Sequence, residues 1–128
     1  MAGTIVSDTL QDGAGNSTAM DNAIYGSAKA WVNFSSSGGT ITLRASYNIS
    51  SVIRNSTGYY TINFTNALAD ANYSYTLAAG NTSNILIANA NTLGGAVAPT
   101  ASAFSMIMNN TANSAQIDNS YIYIAVFR

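Results

Sequence analysis

The 128-residue chain is 48% hydrophobic but only 7% charged, against about 25% charged in an average soluble domain, and its net charge is −1. Its four cations, Lys29, Arg44, Arg54 and Arg128, are too few and too scattered to neutralise a phosphate backbone or an anionic lipid surface, which disfavours nucleic-acid and membrane-surface binding. The length suits one domain with its own core, and the apolar content is too high for a disordered chain.

Along the chain, short apolar runs alternate with Gly, Asn, Ser and Thr, the pattern of strands and turns. No run approaches the ~20 apolar residues of a membrane helix. Met1-Ala2-Gly3 has neither the basic nor the apolar region of a secretory leader, so none is expected. Thr4–Val6 reads as a short opening strand or stalk end, and Asp12-Gly-Ala-Gly-Asn-Ser-Thr18 as a turn-rich loop. Thr18–Tyr25 is ambiguous, with room for a short helical turn. Residues 1–25 are therefore set apart as an N-terminal segment, a possible stalk junction, and 26–128 as the main domain.

Ala28–Phe34 reads as a strand with Ala30, Val32 and Phe34 on one face and Trp31 on the other; strand propensity favours a packed Trp31. Ser35-Ser-Ser-Gly-Gly39 connects it to Thr40–Tyr47, where Ile41, Leu43 and Ala45 face one way and Thr42 and Arg44 the other. Val52-Ile53 precedes a turn at Asn55-Ser-Thr-Gly58. Tyr59–Thr65 points Tyr60, Ile62 and Phe64 inward and Thr61 and Asn63 outward. After the connector Ala67–Asn72, Tyr73–Ala79 puts Tyr73, Tyr75 and Leu77 on one face. Gly80–Asn84 is a turn, Ile85–Ala88 a short strand, and Asn89–Thr100 a long loop containing Gly94, Gly95 and Pro99. Ala103–Met108 groups Phe104, Met106 and Met108. Asn109–Asn119 is a polar loop, and Tyr121–Phe127 the last strand.

Seven or eight short strands of this kind predict an all-β fold, an antiparallel β-sandwich. The last strand departs from simple alternation. Tyr121, Tyr123 and Phe127 point one way, while Ile122, Ile124 and Val126 point the other, so both faces are apolar and both need cover. One cover is the opposite sheet. The other is either the rest of the same subunit or a second copy. The second option predicts a homo-oligomer, most simply a homotrimer, with Tyr121, Tyr123 and Phe127 at the shared surface.

Reactive chemistry is scarce. The chain has no His, Glu or Cys, which removes Ser-His-Asp catalysis, thiol catalysis, disulfides and His- or Cys-ligated metals. The five carboxylates, Asp8, Asp12, Asp21, Asp70 and Asp118, lie in or beside turn-type segments, where Asp serves turns and caps. Asp8-Thr-Leu-Gln-Asp12-Gly-Ala-Gly-Asn16 offers oxygens near a glycine turn but misses the spacing of a calcium loop. Neither an enzyme nor a cofactor is expected. Eight Asn-x-Ser/Thr sequons, at Asn16, Asn33, Asn48, Asn55, Asn63, Asn72, Asn81 and Asn109, follow from the abundance of Asn, Ser and Thr. In the polar loops, the carboxamides of Asn81, Asn84, Asn110 and Asn113 suit sugar hydroxyls. The same residues serve equally as solvated turns.

Asp12-Gly-Ala-Gly-Asn-Ser-Thr18, Gly26-Ser-Ala-Lys-Ala-Trp-Val-Asn-Phe34, Ala45-Ser-Tyr-Asn-Ile-Ser-Ser51, Gly58-Tyr-Tyr-Thr-Ile-Asn-Phe64 and Ala67-Leu-Ala-Asp-Ala-Asn-Tyr73 together resemble a recurrent module. It belongs to the distal part of bacteriophage tail-fibre and related virion fibre proteins. Phe64, Tyr73, Phe104 and Tyr121-Ile-Tyr-Ile-Ala-Val126 are similar to the strand pattern of small trimeric fibre-tip and H-type lectin-like sandwiches. The resemblance implies six or more antiparallel strands per subunit, three-fold assembly, and a site on exposed loops or between subunits. It brings no catalytic residues. Arg54, in Val52-Ile-Arg-Asn55, stands where a small or acidic residue is expected, and joins Asn81, Asn84, Asn110 and Asn113 as a candidate tip contact. The expected function is that of a virion structural protein, a distal fibre domain that trimerises and attaches to a host surface receptor, such as a glycan, alongside other fibre proteins. The expected location is the virion, assembled in a bacterial cytoplasm and exposed outside. Rival readings are a carbohydrate-binding module outside any virion and a capsid decoration or head-fibre protein with a purely structural role.

Overall fold

Alternation of apolar and polar residues becomes antiparallel pairing in the computed structural model, which describes Gly3 and residues 7–80, 86–89, 98–110 and 115–128. Strands β1 (Thr9–Gln11) and β2 (Ser17–Ala19) form a hairpin, followed by helix α1 (Met20–Gly26). Strands β3 (Ala30–Ser35), β4 (Thr42–Tyr47), β5 (Ile49–Ser56) and β6 (Tyr59–Phe64) come next. The chain continues with β7 (Ser74–Gly80), β8 (Leu86–Asn89), β9 (Ala103–Asn110) and β10 (Tyr121–Phe127). Two four-stranded sheets result, in the orders β4-β3-β10-β7 and β5-β6-β9-β8. The fold is all-β with antiparallel sheets, as the sequence pattern predicts. Thr4–Val6, expected as an opening strand, lies outside the described residues.

The sheets share one core. Ala30, Val32 and Phe34 of β3 and Ile122, Ile124 and Val126 of β10 meet Tyr60, Ile62 and Phe64 of β6 and Phe104, Met106 and Met108 of β9. The Phe34 and Tyr60 rings meet edge to face with centroids 5.6 Å apart, and Tyr75 stacks on Phe104 at 4.6 Å. Such contacts add about 0.5–1.5 kcal/mol each to the burial itself. The alternation read over Tyr59–Thr65 and Tyr73–Ala79 is the alternation of the core.

Three local features shape the sandwich. First, the β3–β4 register shifts between Asn33 and Phe34: Asn33 pairs with Ala45 and Phe34 with Leu43, leaving Arg44 as an extra residue. Such a bulge reverses the side-chain parity. It corrects the reading that Leu43 and Ala45 share a face: Ala45 stands opposite Asn33 and Leu43 opposite Phe34, with Leu43 exposed at the sheet edge. Second, Asn48 alone separates β4 from β5 and carries the chain from one sheet to the other with φ 55°. Asn tolerates this left-handed conformation better than most residues. Its Nδ2 donates to the Lys29 and Asn66 carbonyls, and its Oδ1 accepts from the Asn66 amide. This sequon's amide is therefore consumed by the corner. Third, the β5–β6 hairpin turns at Gly58 with φ 67°, where an added Cβ would stand 2.6 Å from the Met108 carbonyl oxygen and 2.7 Å from the Ile117 nitrogen. Only glycine fits.

The N-terminal unit differs in kind. Every residue of β1 and β2 is exposed, and so are Leu10, Ile24 and Tyr25. A short two-stranded hairpin and a seven-residue helix bury too little to hold themselves together in water. They are tied to the sandwich by polar contacts, such as the Lys29 ammonium donating to the Ile24 carbonyl.

Candidate functional site

The outward face of the β4-β3-β10-β7 sheet carries four exposed aromatic side chains, Trp31, Tyr47, Tyr121 and Tyr123. Register fixes its rows. Tyr47, Trp31, Ala125 and Thr76 stand side by side across the four strands; the next row is Ala45, Asn33, Tyr123 and Ala78. Large rings thus sit diagonally across small neighbours. Trp31 is 39% exposed and Tyr123 44%, with Tyr47 and Tyr121 also standing out from the surface. The expectation of a packed Trp31 is corrected, because the opposing sheet covers only the Val32 and Phe34 side of β3. On β10 the division is equally clean. Ile122, Ile124 and Val126 are buried against the second sheet, while Tyr121 and Tyr123 are exposed and Phe127 half-buried. Among the described residues, nothing fully covers the outer side of the last strand.

Between Trp31 and Tyr123 lies an open trough of about 290 Å³. Ala125 and Ala78 keep it low, and Asn33 and Thr76 supply an amide and a hydroxyl. Arg44 stands next to the trough's Asn33. Its guanidinium lies 5.0 Å from the centre of the Tyr121 ring and donates to the Ser120 carbonyl at 2.7 Å and to the Asn33 Oδ1 at 3.4 Å. The bulge gives Arg44 this outward reach. Among the described residues, neither Trp31 nor Tyr123 carries another ring or a guanidinium against its own ring.

The second sheet's outer side carries an internally paired polar set, with Ile53 exposed beside it in the Thr61 row. Asn63 donates to the Ser51 hydroxyl at 2.9 Å, Asn55 donates to the Thr61 hydroxyl at 2.8 Å, and Thr61 and Ser105 share a hydrogen bond of 3.1 Å.

Arg54, a candidate tip contact, is placed in a clasp. It grips Asp118 through Nε at 3.1 Å and Nη2 at 2.7 Å, and also donates to Thr57. Asp118 accepts in addition from the Tyr60 hydroxyl at 2.6 Å and the Gly58 amide at 3.0 Å. The Tyr60 hydroxyl reaches Ser36 at 2.6 Å, and Ser36 Oγ accepts from the Asn119 amide at 2.9 Å. Burial pulls the Asp118 carboxyl upward, but the hydrogen bonds from Arg54, Tyr60 and Gly58 outweigh it and hold the group below its ordinary value. Burial, reinforced by Asp118, raises Tyr60. Burial likewise pushes Tyr73 up to about 12. The arrangement pins the β5–β6 turn to the loop before β10. Asn110 is half-buried at the end of β9, with its amide nitrogen bonded to the Ala115 carbonyl. Asn81, Asn84 and Asn113 lie outside the described residues. The structure thus brings Tyr121 and Tyr123 together with Trp31 and Asn33, a grouping set by pairing of β3 with β10 across the length of the chain.

All four cations are engaged: Lys29 with Ile24 and Ser27, Arg44 over Tyr121, Arg54 with Asp118, and Arg128 with Asp70. Comparison of the chain with family models, with curated proteins and with solved structures found no match.

Proposed function

We propose that the chain is a non-catalytic contact module, the distal domain of a bacteriophage fibre, which assembles as a homotrimer and attaches the virion to a host surface. The observation that carries this reading is the uncovered aromatic face formed by Trp31, Tyr47, Tyr121 and Tyr123 on an otherwise neutral, hydrogen-bonding molecule. Contiguous exposed apolar surface marks a place of contact. A surface whose cations are already tied down gives little electrostatic steering and relies on packing and hydrogen bonds. The N-terminal unit supports assembly: Leu10, Ile24 and Tyr25 have no core of their own, and sister copies would supply one. Three equivalent copies would turn a weak individual contact into useful avidity.

Sedimentation equilibrium on the full chain tests assembly. The expected particle has three times the 13.3 kDa chain mass. A persistent single-chain particle at high concentration sinks the trimer. Antibody labelling of intact virions tests location: label at the distal end of a fibre supports the reading, and label on the capsid replaces it with a decoration role.

A further inference from the structure

We propose that the trough beside Trp31 and Tyr123 seats one neutral pyranose ring of a glycan. The ring stacks against these two aromatic side chains, and Asn33 and Thr76 bond its hydroxyls. The inference rests on the reading of the aromatic face as a receptor surface and names the ligand class and its seat.

Four features converge on this chemistry. The first is ring availability. Tyr121 is covered by the Arg44 guanidinium 5.0 Å from its centre, whereas among the described residues Trp31 and Tyr123 have no such cover. A pyranose presents a patch of C–H groups on its flat side, and that weakly positive patch suits the electron-rich face of an aromatic ring. The second is polarity at the rim. Arg44 donates to the Asn33 Oδ1, which leaves the Nδ2 as the donor of that carboxamide, and Thr76 adds a group that both donates and accepts. A sugar hydroxyl both donates and accepts, so this pair matches it. The third is charge. Trp31, Asn33, Thr76, Ala78, Tyr123 and Ala125 bring no formal charge to the trough; the nearest cation, Arg44, is held over Tyr121 and against the Ser120 carbonyl and Asn33 Oδ1. An acidic sugar would lose hydration there, with the nearest counter-ion, Arg44, already committed to Ser120, Asn33 and the Tyr121 ring. The fourth is size. About 290 Å³ is at the small end of ligand clefts, the scale of one ring. The register makes the hollow: Ala125 sits beside Trp31 and Ala78 beside Tyr123, so each ring has a low neighbour on the β7 side.

Trp31 is the chain's single tryptophan, so its fluorescence reports on this trough alone. The full chain is titrated with methyl glycosides and short neutral oligosaccharides of glucose, galactose, mannose and N-acetylglucosamine. Sialyllactose and a sulfated disaccharide serve as charged arms. The expected result is a saturable change in Trp31 emission with at least one neutral series and none with the charged arms. Tyr123→Ala is expected to weaken binding about tenfold, the scale of a lost aromatic contact. Thr76→Val, which keeps shape and removes the hydroxyl, is expected to weaken it several-fold, and Asn63→Ala, on the opposite sheet, to leave it unchanged. The proposal is overturned by three results: no saturable response to any neutral sugar, equal binding by the Tyr123→Ala chain, or a Trp31 shift that follows protein concentration alone. The last would mean that a second copy lies on the face. Particle mass, measured in the same samples, separates the two readings. A trimer that ignores sugars loses the trough and keeps the assembly. A sugar-binding single chain keeps the trough and loses the assembly.

Discussion

The two outer faces of the sandwich are both nearly free of charge, yet they solve the problem of exposure in opposite ways. On the β5-β6-β9-β8 sheet, Ser51, Asn55, Thr61, Asn63 and Ser105 pair among themselves, so the polar groups are satisfied and Ile53 stands as the exposed apolar side chain beside them. On the β4-β3-β10-β7 sheet, Trp31 and Tyr123 stand over small residues with their rings open. A polar face with its partners already chosen resists new company. An aromatic face without partners gains by acquiring one. Side-chain pairing, more than net charge, separates the two outer faces of this molecule.

Substitutions sharpen the contrast, because damage to stability should concentrate on the self-satisfied sheet and damage to binding on the aromatic one. The largest effect is expected at the Gly58 turn. Gly58→Ala forces a side chain into the Met108 and Ile117 backbone at a left-handed φ, and should remove more than about 3 kcal/mol or prevent folding. Urea unfolding monitored by circular dichroism measures it; a native-like midpoint would show that the hairpin can move aside.

Next comes the clasp. Asp118→Ala takes the shared carboxylate from Arg54, which keeps Thr57, and from Tyr60, which keeps Ser36, at a cost of about 2–4 kcal/mol. The same group sets an acid limit. Its carboxyl titrates lower in the folded chain than in the unfolded one, so the folded state binds fewer protons and stability rises with pH through that window. Its contribution is complete above the ordinary carboxylate value of about 4 and disappears as pH falls through the folded value. Stability curves of the parent and the Asp118→Ala chain should therefore converge in acid; parallel curves would remove Asp118 from the acid response.

A smaller loss is expected within the polar ladder. Asn63→Ala deletes one bond to Ser51 and should cost about 1 kcal/mol, with no change in sugar titration. At the bottom of the stability scale stands Tyr123→Ser, expected within about 0.5 kcal/mol of the parent because the ring is 44% exposed. A large loss of stability there would mean that the ring serves the fold, and the division between the two faces would fail.

Much of the sandwich is legible in the chain itself, because burial follows parity. Tyr60, Ile62 and Phe64, then Tyr75 and Leu77, alternate as residues with one side against a core must. The two-sided apolar character of Tyr121–Phe127 is also legible, and it points to the strand whose outer side stays uncovered. Parity fails where a bulge intervenes. Nothing in Thr42-Leu-Arg-Ala45 announces that Arg44 will be the extra residue, so Leu43 and Ala45 are misjudged together. The Arg54–Asp118 clasp joins residues far apart in sequence through a geometry that no local spacing encodes. Trp31 is misjudged for a different reason. Strand propensity measures how well a ring suits a pleated surface and says nothing of which side of the sheet water occupies.

The position of β10 has a consequence for biosynthesis. It lies between β3 and β7, both made earlier, and pairs with each along most of its length. Until Tyr121–Phe127 has left the ribosome, those two strands present raw hydrogen-bonding edges, and the nascent chain cannot complete its sheet. Closure across so long a stretch of polypeptide is slow. Until then the strand edges must be shielded from neighbouring copies, which makes a late, all-at-once closure the step most open to aggregation.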